Sequence, residues 1–214
     1  MTSPRTRLVT VAHGTRYAPG NSVARAITGA AGTRLGMPWV ASYVELCAPS
    51  FDSVMSSGEP CVVVPLLLSA GHHIRHDLGA GRALGPDPLL AAAQVGRLVA
   101  AGATAGQPVV LVAAGSRDPL ATRDQMLAAA YLSEQWGGPV RVATLAGVGR
   151  RPADVVTPDD AVSPYLLAPG FFADRCRAEA ARAGVVADVI GAHPAVVDLV
   201  VERADELLVG RRTA

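Results

Sequence analysis

The chain has 214 residues, of which 50% are hydrophobic, 17% charged and 4% aromatic, with a formal net charge of +1. That is enough apolar material for one large core or two closely packed lobes of about 105 residues each, and no apolar run approaches the roughly 20 residues that span a bilayer. Near-neutral charge and scarce aromatics exclude a nucleic-acid-binding surface built on basic patches and stacking platforms.

All 19 basic residues are Arg, so an anionic ligand would be gripped by guanidinium groups, which favour bidentate carboxylate contacts. Cys47, Cys61 and Cys176 are isolated thiols without Cys-x-x-Cys spacing, which argues against a zinc ribbon, an iron–sulfur cluster or a disulfide framework and reads as small buried hydrophobes. The basic start, residues 1–7, leads only into a short strand broken by His13. No secretory signal is read there, and a cytoplasmic protein is expected.

In chain order, the first half alternates a strand over 7–12, a helix over 21–35, a strand over 39–46, a short helix over 50–57 and a strand over 61–68. A Gly-rich passage follows His73, and a helix over 88–102 is stopped by glycine. After a linker at 103–108, strands are expected over 109–113, 140–145, 161–168 and 185–190, with helices over 122–135, 172–183 and 195–208. Residues 150–160, rich in Pro, Asp and Arg, read as an exposed loop. Continuous aliphatic runs such as Val62-Val63-Val64 suit strands covered on both faces of a parallel sheet. The fold class is therefore α/β, with two similar lobes, each a parallel sheet flanked by helices, and a cleft between them. The expected division is 1–104 and 105–214.

The halves are copies. Leu8-Val9-Thr10-Val11-Ala12-His13-Gly14-Thr15-Arg16 matches Val109-Val110-Leu111-Val112-Ala113-Ala114-Gly115-Ser116-Arg117, an apolar strand running into a tight turn each time. Pro65-Leu66-Leu67-Leu68-Ser69-Ala70-Gly71-His72-His73 matches Pro164-Tyr165-Leu166-Leu167-Ala168-Pro169-Gly170-Phe171-Phe172. The landmarks His13 and His73 lie 60 residues apart, and their mates Ala114 and Phe172 lie 58 apart. A third pair, Gly85-Pro86-Asp87-Pro88 and Gly191-Ala192-His193-Pro194, opens the last helix of each half, so His193 reads as a helix-start residue. At the first two pairs of landmarks, histidines stand in the first half only.

Ligands of open α/β sheets bind beyond the carboxyl ends of the strands. His13 and His73 each follow a strand of the first lobe and are expected at the same sheet edge, facing the cleft. Two converging imidazoles suit a borderline divalent ion such as Co, Fe, Ni or Zn, and an imidazole also accepts a proton near neutral pH.

On these residues the chain resembles the class II tetrapyrrole chelatases, specifically the two-lobed, internally duplicated sirohydrochlorin cobalto- or ferrochelatases. The carriers are Ala12-His13-Gly14-Thr15-Arg16, the Val44-Glu45-Leu46 strand end, Pro65 to Asp77 with its Ser69-Ala70-Gly71-His72-His73 core, and the Pro164 to Arg175 echo. The resemblance covers nearly the whole chain. It implies that His13 and His73 bind the incoming metal and serve insertion of Co²⁺ or Fe²⁺, with Ni²⁺ also open, into sirohydrochlorin.

The chemistry asked of such a site is specific. Insertion expels two pyrrole N–H protons, so a base must lie close while the metal waits on a weak, displaceable ligand set. Two protein ligands plus water leave positions open for the pyrrole nitrogens, as a closed four-ligand cage would not. Glu45, at the second strand's end, is the candidate to accept or relay a proton. Arg16, Arg75 and Arg117, with Arg175 a further candidate, are placed to hold the carboxylate rim of the substrate. If a helix begins at His73, His76 shares its face at i+3 and adds a third ligand, whereas the alternative for His72 and His76 is a solvated loop histidine.

From His73 to Pro88 is 15 residues, against 22 from Phe172 to Pro194, so the first lobe lacks about two helical turns after the catalytic loop. No Gly-x-x-x-x-Gly-Lys phosphate loop is present, and neither ATP nor another nucleotide is implied. Rival readings are a non-catalytic nickel, cobalt or tetrapyrrole carrier, favoured by the extra His72 and His76, and a haem-branch porphyrin ferrochelatase. Membrane and nucleic-acid partners are not expected. The duplication lets a monomer supply both lobes, with a homodimer equally compatible.

Overall fold

Aliphatic runs separated by glycine-stopped helices produce two parallel sheets in the computed structural model, which describes residues 6–69 and 82–212. The first sheet has the order β2-β1-β3, built from β1 (Arg7–Ala12), β2 (Trp39–Tyr43) and β3 (Cys61–Pro65). The second has the order β5-β4-β6-β7, built from β4 (Val109–Ala113), β5 (Val140–Thr144), β6 (Ala161–Tyr165) and β7 (Val185–Val186). Among the described residues the helices are α1 (Ala18–Leu35), α2 (Phe51–Met55), α3 (Pro88–Ala100), α4 (Pro119–Trp136), α5 (Pro152–Val155), α6 (Phe171–Glu179) and α7 (Pro194–Arg212). Every strand pairing is parallel, so each connection must cross over, and α1, α2, α4, α5 and α6 supply those crossovers. The two-lobed α/β class expected from the sequence is the observed one.

Alternation along the strands explains why both faces are covered. Leu8, Val62 and Val64 of the first sheet and Val109 and Leu111 of the second face one shared core. Val9, Val11 and Cys61 face a small cluster with Val54 of α2, while Val110 and Val112 face another with Ala173 and Cys176 of α6. Cys61 and Cys176 are indeed buried, and Cys47 is half-buried.

The lobes exchange their final helices. α3, from the first half, packs on β6 of the second sheet and on α4, while α7, from the second half, packs on β3 of the first sheet and on α1. The side chains lock this arrangement. Gln94 of α3 donates from Nε2 to Ser163 Oγ on β6 at 2.8 Å in the buried interior, and Arg97 Nε donates to Ile190 O at 3.0 Å. Arg203 of α7 pairs with Asp87, the residue that caps α3, at 2.7 Å, with both side chains largely buried (8% and 14% exposed). Replacing Arg203 by Met strands the Asp87 carboxylate. A loss of about 2 kcal/mol is expected in denaturant unfolding, with restoration in an Asp87→Asn, Arg203→Met double variant.

The third repeat pair is a pair of helix caps. Asp87 Oδ1 accepts from Leu89 N at 2.9 Å, and His193 Nδ1 accepts from Ala195 N at 3.2 Å. Only a neutral imidazole can accept at Nδ1, so the cap depends on protonation. Burial, reinforced by the Arg97 charge, pulls the His193 pKa below its ordinary value. The unfolded chain therefore binds the proton more readily, and stability is full above the ordinary histidine value of about 6.5 and falls as pH drops below it. Melting temperature measured from pH 7.5 to 5 should decline more steeply for the native chain than for His193→Asn, which caps without titrating. Parallel curves would remove His193 from the acid response.

Strand ends differ from the sequence expectation in an instructive way. β2 stops at Tyr43 rather than at 46, yet Val44 N still bonds to Ala12 O at 2.9 Å and Glu45 N to His13 O at 3.1 Å. β7 covers two residues rather than 185–190: beyond Val186 the backbone bonds to β6 at Ala187 N to Val162 O, and then to the segment after β6 at Ile190 N to Leu166 O and Gly191 N to Leu167 O.

Candidate functional site

β1 delivers His13 to the carboxyl edge of the first sheet, where the next residue must turn. Gly14 has φ +93°, and a Cβ there would stand 1.9 Å from Glu45 O. Glycine is required twice over, by the left-handed backbone and by the approach of the Glu45 carbonyl. The turn is then pinned from behind. Asn21 of α1 brackets Thr15, accepting from its N–H at 3.1 Å and donating to its carbonyl at 2.6 Å, while Tyr43 OH donates to Asn21 O at 3.1 Å. Thr15 Oγ1 accepts from Tyr17 N at 3.0 Å.

The product is a pair: His13 Nε2 lies 3.1 Å from Glu45 Oε1, with the two side chains 49% and 53% exposed. An imidazole and a carboxylate in contact at an open strand edge can exchange a proton with each other and with a ligand above them.

The second half repeats the scaffold without the two polar side chains. Gly115 has φ +91°, with its Cβ position 1.8 Å from Ala146 O, and Asp118 N donates to Ser116 Oγ at 3.0 Å as Tyr17 N does to Thr15. Ala146 is thus the structural mate of Glu45. Both members of the first-half pair, His13 and Glu45, stand opposite alanines, Ala114 and Ala146, at equivalent positions. The fold itself needs neither group.

The remaining candidates divide. His72, His73, Arg75 and His76 lie outside the described residues. Arg16 and Arg117 are exposed on the strand-end turns of the two halves, and among the described residues neither forms an ion pair. Arg175 is committed elsewhere: its Nε donates to Glu179 Oε1 at 2.8 Å, and Arg151 binds the same oxygen. Burial alone would raise the Glu179 carboxyl pKa, but the hydrogen bonds from Arg151 and Arg175 outweigh it and hold it low. Among the described residues no group of three or more His, Cys, Asp or Glu side chains is placed to hold a metal ion.

The lobes meet beside this turn. Pro169 O of the loop after β6 lies 2.7 Å from where a Gly20 Cβ would stand, and the corresponding point on Gly170 is 3.9 Å from Thr15 Oγ1. Tyr165, at the end of β6, donates its OH to Leu68 O at 3.0 Å, so the second lobe braces the strand end that leads toward residues 70–81. Burial keeps this phenol protonated, pushing its pKa far up. Sequence reasoning missed Asn21, Tyr43 and Tyr165 as supports. The available signals were an Asn in the first turns of the helix after a Gly-Thr turn and a Tyr ending an aliphatic strand.

Two parallel-sheet lobes made by duplication, with a histidine–carboxylate pair on the sheet edge of one copy and alanines at the equivalent positions of the other, define the class of protein: a two-lobed, internally duplicated α/β protein. Comparison places it further. The chain belongs to the CbiX family, which matches residues 7–81 and again 108–207, the class II tetrapyrrole chelatase relationship expected from the sequence. In structure it is similar to SirB from Bacillus subtilis, solved with Fe3+, with TM-score 0.77, 24% identity, and coverage of 94% of this chain and 95% of that one. It is also similar to DR2241 from Deinococcus radiodurans, a multi-domain protein with structural similarity to chelatases and two additional novel domains. There the TM-score is 0.70 and the identity 19%, over 94% of this chain and 55% of that one. A comparison with curated protein sequences finds no match. No helix among the described residues is long and apolar enough to cross a membrane.

Proposed function

We propose that this protein is an ATP-independent sirohydrochlorin chelatase that inserts Co²⁺ or Fe²⁺ into the tetrapyrrole in the cytoplasm, with residues 1–104 carrying the chemistry and 105–214 the opposing wall. The observation that carries the reading is the His13–Glu45 contact of 3.1 Å in the copy that retains both groups, against Ala114 and Ala146 in the copy that lost them. In this reading His13 and His73 hold the incoming metal and accept pyrrole protons, and His76 adds a ligand. Glu45 takes the proton from His13 and passes it to solvent, which the half-exposure of both side chains allows. Arg16, Arg75 and Arg117 hold the carboxylate rim by charge-assisted hydrogen bonds. The Fe3+ in SirB supports a transition-metal substrate for this fold.

Anaerobic absorbance of sirohydrochlorin with Co²⁺ or Fe²⁺ and catalytic amounts of protein tests the reading. Many turnovers per protein are expected. Stoichiometric metal or tetrapyrrole binding without turnover would instead identify a carrier, the reading favoured by the additional His72 and His76. Insertion confined to haem-branch porphyrins would move the substrate.

A further inference from the structure

Leu46 follows Glu45 and has φ +67°, the only positive-φ non-glycine among the described residues. Its structural mate, one residue after Ala146, is Gly147, with φ +69°. One backbone shape is therefore filled by glycine in one copy and by leucine in the other. At Gly147 glycine is required, since a Cβ would stand 2.4 Å from Ser116 O. At Leu46 the chain accepts a branched side chain in a conformation that disfavours any Cβ. Burial does not compensate, because Leu46 is 49% exposed. A strained, solvent-facing leucine next to a site carboxylate points to a role outside the fold.

Its surroundings indicate what the role is. Tyr17, at the end of the His13 turn, is 50% exposed, and Phe171, the first residue after the Gly170 that sits against Thr15, is 71% exposed. Apolar side chains thus stand at the end of the His13 turn, directly after Glu45, and at the first residue of α6 beside that turn. A tetrapyrrole presents two chemistries: a carboxylate rim, which cations hold, and a hydrocarbon face, which only apolar groups hold. Resting on the chelatase reading above, we propose that Leu46 is a positioning residue for the tetrapyrrole, its side chain covered by the hydrocarbon face of the macrocycle so that the ring nitrogens come to rest beside His13 and Glu45.

Leu46→Gly and Leu46→Asn both suit a left-handed backbone and remove the apolar group, so neither is expected to lower the melting temperature. Sirohydrochlorin fluorescence titrated without metal should show binding weakened about five- to tenfold in both variants, the scale of uncovering half a leucine side chain. The KM for tetrapyrrole should rise by a similar factor while the KM for metal stays within twofold. Unaltered tetrapyrrole affinity in variants of a native protein that binds and turns over would overturn the assignment. So would a change in sedimentation alone, which would make Leu46 a contact between copies of the chain. Failure of the native protein itself to bind sirohydrochlorin sinks the chelatase reading, a result separable from either of these.

Discussion

His13→Ala should reduce metal insertion by a factor of about 10³ or more in kcat, within the range lost with a positioned acid–base group, while leaving the melting temperature close to native. The second half supplies the reason for expecting an intact fold: Ala114 occupies the equivalent turn, with Gly115 held against Ala146 O as Gly14 is against Glu45 O. His13 is also half-exposed, so its truncation opens no core cavity. Glu45→Ala copies Ala146 in the same way and should cost about 10² in kcat. Because the two groups touch, the double variant should be little worse than His13→Ala alone. Single-turnover absorbance with saturating metal separates loss of proton removal from loss of metal capture. Native rates in His13→Ala would remove the pair from the reaction.

Gly14→Ala carries the other large effect, and it acts through the backbone. The added Cβ would stand 1.9 Å from Glu45 O at φ +93°, and the obstacle is a main-chain carbonyl held by Glu45 N bonding to His13 O at 3.1 Å. No rotamer change relieves that overlap. A destabilisation of about 3 kcal/mol or more is expected, which for a chain of this size lowers the melting temperature by roughly 6–12 °C. Whatever relaxation occurs moves the Glu45 strand end away from His13, so insertion should fall even at temperatures where the variant is folded. Gly115→Ala is the matched control. Its Cβ would stand 1.8 Å from Ala146 O, so its stability cost should be similar, but it displaces no reactive group and should retain much more activity. Equal loss of activity in both variants would show that the site depends on general stability and not on the His13 turn.

Much of this molecule was legible without coordinates because its signals are local. Aliphatic runs at 7–12, 61–65 and 109–113 specify strands that must be covered on both faces, and glycine after Leu35 and Trp136 ends α1 and α4 in a left-handed cap. The duplication was legible because turn chemistry repeats: Gly-Thr-Arg and Gly-Ser-Arg fold alike, down to the matching bonds to Thr15 and Ser116. That His13 and Glu45 both end strands placed them at one sheet edge, since parallel strands bring their carboxyl ends together.

The sequence did not reveal which elements would meet across the duplication. α3 and α7 are ordinary amphipathic segments, and nothing in their periodicity says that each covers the sheet of the other half. That choice is made by complementary groups far apart in the chain, Gln94 with Ser163 and Arg203 with Asp87. The left-handed turn at Leu46 was equally illegible, because leucine is a strong helix and strand former and only the fixed positions of its neighbours hold it at φ +67°. Nor could spacing alone state that Nε2 of His13 stops 3.1 Å from Glu45. By itself the sequence determined the repeat, the residues with reactive groups and the strand–helix order except at 150–160, expected as an exposed loop but holding the short helix α5 with Pro152, Val156 and Asp160 buried; the rest follows from short-range periodicity and turn chemistry. The tertiary structure alone decided the helix exchange, the strained leucine and the contact between the reactive groups, because those depend on packing energies summed over residues distant in the chain.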